Sequence, residues 1–114
     1  MENLTIDEFY KELEKSNTTI RDLVNDNFEM IEYVISYNGD FLGFNILLAT
    51  DNMELYLKDR IYKPGAVIEG YLLTNDKKRE FKFFIDGDLE QELWNRVKKA
   101  FTESGMIASN APSF

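Results

Sequence analysis

Apolar residues in the first 26 positions recur at the spacing of an α-helix. One stripe consists of Ile6, Phe9, Tyr10 and Leu13. Thr5 precedes it as an N-cap, and Glu8 stands three residues later, where a capping box requires it. Thr19 and Asp22 repeat this capping signal before a shorter stripe that stops near Asn25. The pattern therefore predicts two helices in succession.

From Phe28 the apolar period changes from about 3.6 residues to two, which is typical of β-strands. Segments 28–37 and 40–49 flank Asn38-Gly39, the strongest short signal for a two-residue hairpin turn. Such a turn pairs Tyr37 with Asp40. In that register Phe44 lies on the buried face of the hairpin, and Phe41 lies opposite Ser36 on a half-exposed face.

Three further strands follow, at 53–58, 66–74 and 79–86, separated by turns at Lys63-Pro64-Gly65 and at 75–78. The facing of 66–74 stays open because both sets of alternate residues contain apolar side chains. Asp88 is predicted to cap a last helix that runs to about Ser104. We therefore expect an α+β fold: a two-layer sandwich in which the N-terminal and C-terminal helices pack on one face of an antiparallel meander of about five strands. Residues 1–105 form one domain, and 106–114 form a flexible or strapping tail.

The composition of the 114 residues excludes several kinds of chemistry. Without histidine or cysteine there is no catalytic triad, no thiolate nucleophile and no ordinary zinc site. We expect no enzyme activity and no cofactor. Asp86-Gly87-Asp88 resembles only a fragment of a calcium loop, so we expect no metal site either. The chain lacks a long apolar run and a secretory leader, which predicts a cytoplasmic protein away from membranes.

The negative charge is concentrated in the first half of the chain. The formal net charge is −8, and residues 1–57 hold 12 acidic and 3 basic side chains. This balance disfavours direct binding to nucleic acid and favours a basic protein partner, which the negative field would steer towards the molecule. The alternative is that the negative charge serves only to keep the protein in solution.

Acidic and aromatic residues together on the half-exposed sheet face are suited to protein recognition. The predicted partner-binding residues are Glu29, Glu32, Asp40, Phe41, Asn45, Glu54, Tyr56 and Glu69. In size and charge the chain resembles the inhibitors that phages and mobile elements direct at host nucleases, and the immunity proteins that neutralise toxins. The leading hypothesis is thus an inhibitor of a basic, nucleic-acid-handling protein.

Two other interpretations remain open. The first is an oligomeric protein that sequesters a small molecule or nucleotide, using Lys58, Arg60, Lys63 or the run Lys77–Arg79. The second is a structural subunit in which the half-exposed sheet face closes a homodimer.

Overall fold

The computed structural model describes residues 3–31, 33–37, 40–59 and 65–106, and it confirms the α+β class. Side chains at 33, 35–37 and 40 lie outside this description, as do the predicted Asn38-Gly39 turn and tail residues 107–114. The helices are α1 (Ile6–Lys15), α2 (Ile20–Asp26) and α3 (Asp88–Glu103), with a 3-10 turn at Phe28–Met30. The strands are β1 (Tyr33–Tyr37), β2 (Asp40–Ala49), β3 (Met53–Asp59), β4 (Val67–Thr74) and β5 (Lys77–Phe84).

Side chains next to the first turn fix where α1 and α2 begin. Thr5 and Thr19 both complete the predicted capping boxes, with Glu8 and Asp22 as their partners. The hydrogen bond that Glu8 accepts from the Thr5 backbone holds the pKa of this carboxyl below its usual value. The predicted cap of the last helix is wrong, because α3 begins at Asp88 with Gly87 as its N-cap. The Asp88 side chain instead lies in the first turn, where the helix dipole favours a negative charge.

The sheet is antiparallel, and its strands lie side by side in the order in which they occur in the chain. Four long strands, β2 to β5, make up most of it, and the shorter β1 pairs with β2. Asn75 and Asp76 have φ angles of 50° and 61°, so β4 and β5 are joined by a two-residue turn, tighter than predicted. The predicted strand over 28–37 is shorter than expected, because 28–30 form the 3-10 turn.

Irregular pairing between β1 and β2 reverses the predicted facing of Phe41. The predicted pair Tyr37–Asp40 is present, but the register shifts between Ile35 and Ser36. Leu42 has no partner in the ladder as a result, and Phe41 turns towards the core.

One face of the sheet, here called the inner face, holds the side chains that pack against the helices. Phe9 of α1 lies edge-on to Phe81 and Phe83 of β5, with ring centroids 5.3 and 5.9 Å away. On β2, Phe41 stacks on Phe101 of α3 at 5.8 Å and contacts Trp94 at 5.2 Å. The open question about 66–74 is thereby resolved. The residues of that segment buried on the inner face are Ile68 and Leu72.

Backbone and side-chain contacts tie the N-terminal segment to β5. The Leu4 N–H donates to the Glu80 carbonyl at 2.8 Å, and Asn3 forms a parallel bridge with the same residue. Glu12 of α1 forms a 2.8 Å ion pair with Arg79 of β5, whose side chain is only 14% exposed. Arg79 therefore belongs to the packing between α1 and the sheet rather than to a solvated turn.

Candidate functional site

The opposite face of the sheet, here called the outer face, forms a grid of three rows across β2, β3, β4 and β5. The rows are Ala49-Glu54-Leu73-Lys78, Leu47-Tyr56-Tyr71-Glu80 and Asn45-Lys58-Glu69-Lys82. Four predicted partner-binding residues lie here and are close to one another: Asn45, Glu54, Tyr56 and Glu69. The alternation of side chains brings Asn45, Glu54 and Tyr56 to this face, as the sequence predicts, and the structure adds Glu69, whose facing the sequence left open.

Two tyrosines occupy the middle of the outer face, and their neighbours fix them. The rings of Tyr56 and Tyr71 are stacked with centroids 5.5 Å apart. The Tyr56 hydroxyl donates to Asn45 Oδ1 at 2.9 Å, and the Tyr71 hydroxyl donates to Glu54 Oε2 at 3.0 Å. Lys78 Nζ lies 4.2 Å from the centre of the Tyr71 ring. These contacts hold both side chains in one conformation before any partner arrives.

The environment of Tyr71 also affects its acidity. Burial raises the pKa of the Tyr71 hydroxyl, and its hydrogen bond to Glu54 raises that pKa further. The hydroxyl therefore stays a hydrogen-bond donor at neutral pH.

The outer face is not acidic, which corrects the expectation of clustered carboxylates on the sheet. In the grid, three glutamates are interleaved with three lysines. Glu69 is the clearest case, because its cross-strand neighbours are Lys58 on one side and Lys82 on the other. The two lysines come from the second half of the chain, so adding charges along the sequence did not reveal this balance.

The remaining predicted site residues are dispersed. Phe41 was predicted to lie on the half-exposed face, and this is wrong: its side chain is 6% exposed and belongs to the core. Glu29 is exposed in the 3-10 turn and belongs to none of the three rows. Asp40 begins β2, but its side chain lies outside the described part of the chain, and so does all of Glu32.

A groove between α1 and α3 is a second candidate, and sequence reasoning missed it. It has a volume of about 550 Å³. The Tyr10 hydroxyl donates to the Leu89 carbonyl at 3.0 Å, which joins the two helices. The Arg96 guanidinium lies 5.0 Å from the centre of the Tyr10 ring and 3.1 Å from a Glu92 oxygen. The lining residues are Asp7, Tyr10, Lys11, Leu13, Glu14, Asn17, Thr18, Thr19, Ile20, Leu89, Glu92 and Arg96.

Tyr10 is the most strongly perturbed acid of the groove. Burial raises the pKa of its hydroxyl to about 12, and the nearby Glu92 carboxylate contributes to the rise. In the sequence Tyr10 counts only as a member of the apolar stripe of α1. The one available signal was Leu89, which lies at the edge of the apolar stripe of α3 and is 39% exposed.

The helical elements carry the excess of negative charge. Across α1, α2, α3 and the 3-10 turn there are eleven acidic and six basic residues. Asp7 and Glu14 are exposed at the groove and form no ion pair within the described ranges. Arg96 is already matched by Glu92. Lys11 also lines the groove, so three carboxylates face two cations there, and this small excess of negative charge beside an aromatic ring is suited to a lysine or arginine side chain.

The basic residues of the nucleotide hypothesis do not converge. Lys58 lies on the outer face, Lys77 and Lys78 follow the β4–β5 turn, and Arg79 is paired on the inner face. Arg60 and Lys63 lie outside the described residues. Among the residues that the structure places, no group of three or more acidic side chains could hold a metal ion.

Comparison with known proteins adds no relative. No protein-family model, no curated protein and no solved structure matches this chain. No helix within the described ranges is long and apolar enough to cross a membrane.

Proposed function

We propose that the protein is a small acidic interaction protein that binds and inhibits a basic, nucleic-acid-handling protein. The observation that supports this proposal is the asymmetry of charge between the helical elements, with eleven acids and six bases, and the balanced outer face. In this proposal the molecule has the two layers and about five strands predicted from the sequence. The helices then form one side, and the negative field of the molecule is strongest there.

The α1–α3 groove is the proposed contact for the partner. Asp7 and Glu14 stand on its α1 side, whereas Glu92 on α3 is already paired with Arg96. The carboxylates of Asp7 and Glu14 would pair with arginines or lysines that otherwise hold phosphates, so the bound partner would lose access to nucleic acid. Tyr10 and Leu89 supply the stiff apolar area that an anchoring side chain needs.

Two variants of equal charge test this assignment. D7N/E14Q removes two carboxylates from the groove, and E54Q/E69Q removes two from the outer face, so each changes the formal charge from −8 to −6. The native chain and both variants are used as baits in a lysate of the organism that encodes the chain, at several salt concentrations. The partner is then purified and assayed for inhibition.

We expect the native chain and E54Q/E69Q to retain the same basic protein, and high salt to release it. D7N/E14Q should bind that protein at least about tenfold more weakly. The native chain should inhibit its action on nucleic acid. The proposal is wrong if D7N/E14Q retains the partner as well as the native chain does, or if the retained protein is acidic. Stabilisation of the isolated chain by a nucleotide would instead favour the sequestering protein.

A further inference from the structure

The outer face is the surface least suited to a strongly basic partner, and it is well suited to another copy of itself. Equal numbers of glutamates and lysines, interleaved, make a surface that repels neither sign of charge. The acidic helical elements pack on the inner face, so copies that meet through their outer faces keep those charges apart. From this arrangement we infer that a second copy of the chain docks on the outer face, forming a two-fold dimer. The inference is independent of the groove and of the proposed function.

The register of the strands selects one orientation. A two-fold axis parallel to the strands, between β3 and β4, places β3 of one copy over β4 of the other. Lys58 then faces Glu69 of the second copy, and by symmetry the same pair forms twice. In the middle row Tyr56 faces Tyr71 of the second copy. Strand directions stay aligned, as in packed β-sandwiches.

The perpendicular choice of axis is unfavourable. An axis along the rows places each strand over its own copy, so Glu80 meets Glu80 and Lys78 meets Lys82. Like charges would then oppose each other along the whole of β5. On β3 that axis does set Glu54 opposite Lys58, but the axis parallel to the strands sets Lys58 opposite Glu69 and brings no like charges face to face.

The size and stiffness of the face are adequate for a weak dimer. With strands about 4.8 Å apart and two residues covering about 6.8 Å along a strand, the three rows on four strands cover on the order of 400 Å² of each copy. The total, about 800 Å², is below the size of stable interfaces and is suited to a weak, transient dimer. Little side-chain freedom would be lost, because Tyr56 and Tyr71 are already fixed by Asn45 and Glu54.

A charge-exchange experiment tests the pairing. Lys58→Glu and Glu69→Lys are prepared separately, and association is measured by sedimentation velocity over a concentration series. The native chain should associate as its concentration rises into the micromolar range. Each variant alone sets like charges opposite each other twice, so its dimerisation should weaken by at least about tenfold.

The mixture of the two variants is the decisive sample. One variant then supplies two glutamates and the other two lysines at the facing positions, so a heterodimer should form although neither homodimer does. Restored association in the mixture cannot come from contacts within one chain. D7N/E14Q is the control and should associate like the native chain.

Three results would overturn the inference. The first is a native chain that stays monomeric at millimolar concentration. That result would overturn the inference whatever prevents the second copy from docking, coverage of the face by residues 107–114 or by a bound partner included. The second is a dimer unaffected by either charge reversal. The third is a mixture of folded variants that fails to associate. Circular dichroism shows whether the variants fold. If a variant does not fold, the concentration series of the native chain still shows whether the protein dimerises.

Discussion

The outer face of the sheet and the helical surface differ in charge and in the way their tyrosines are held. On the outer face, Tyr56 and Tyr71 are stacked on each other and bonded to side chains of the same face. In the groove, Tyr10 is bonded to the backbone of another helix, at Leu89. The outer face is balanced in charge, whereas the helical elements are acidic. A single net charge of −8 thus conceals two surfaces with different chemistry, and each would select a different kind of neighbour.

The largest predicted loss of stability comes from removing an aromatic ring of the core, and it should exceed the loss from removing a ring of the outer face. Phe41→Ala removes a ring that contacts Phe44, Trp94 and Phe101, so we expect the free energy of unfolding to fall by about 3–5 kcal/mol. Tyr71→Ala removes a half-buried ring from the outer face and should cost only about 1 kcal/mol, because that ring is packed less completely than Phe41. Urea denaturation measures both. Equal losses would contradict the placement of Phe41 on the inner face.

Gly70 tests how closely the strands beneath the tyrosine pair approach each other. A Cβ atom at Gly70 would collide with the backbone carbonyl of Tyr56 on the neighbouring strand, and backbone cannot move aside as a side chain can. Gly70→Ala should therefore lower the free energy of unfolding by about 2–3 kcal/mol. Gly87→Ala is the control, because its Cβ would meet only the flexible Glu90 carboxylate, and we expect a loss of about 1 kcal/mol or less. A harmless Gly70→Ala would show that β3 and β4 are not so close.

The ion pair of Glu12 with Arg79 tests how α1 is attached to the sheet. Glu12→Gln leaves a largely buried guanidinium without its counter-charge, so we expect a loss of about 1–2 kcal/mol, between the values of exposed and buried pairs. Glu14→Gln on the same helix removes the same charge from an exposed position and should change stability by less than about 0.5 kcal/mol. Thermal and urea unfolding of both variants provide the measurement. A Glu14→Gln loss as large as that of Glu12→Gln would indicate a general charge effect instead.

The smallest effect is the pH dependence of Tyr10. Its pKa is about 12 in the folded chain and lies near 10 in an unfolded one, so the neutral hydroxyl favours folding. This stabilisation is complete below pH 10 and is lost as the pH rises from 10 to 12. Ultraviolet titration of phenolate absorbance should show one tyrosine that ionises near pH 12, and Tyr10→Phe should remove that step. If the step persists in Tyr10→Phe, another tyrosine is responsible and the groove is more open than described.

Local signals could be predicted from the sequence, and long-range ones could not. The capping boxes of α1 and α2 were correct because their atoms lie within four residues of one another. The strand predicted over 28–37 began too early, because Asn27 bonds to both Leu23 and Ala49, a contact across 22 residues that stabilises the local turn. The register shift opposite Phe41 was invisible because Phe41, Leu42 and Phe44 supply apolar side chains in either phase.

The candidate surfaces show the same division. Alternation along the strands correctly brought Asn45, Glu54 and Tyr56 together, whereas the facing of Glu69 had stayed open. The prediction of their charge environment was wrong, because the lysines beside Glu69 come from strands whose pairing the sequence did not fix. The groove required the packing of α1 on α3, which no periodicity within either helix reveals.

The hydrogen bond between Tyr10 and Leu89 joins residues 79 positions apart. Leu4 reaches Glu80 over a similar separation. During synthesis on the ribosome, α1 therefore cannot complete its contacts until β5 and α3 have been made. Such distant pairings slow folding, and a nascent chain that has not yet reached β5 exposes Phe9 to chaperones.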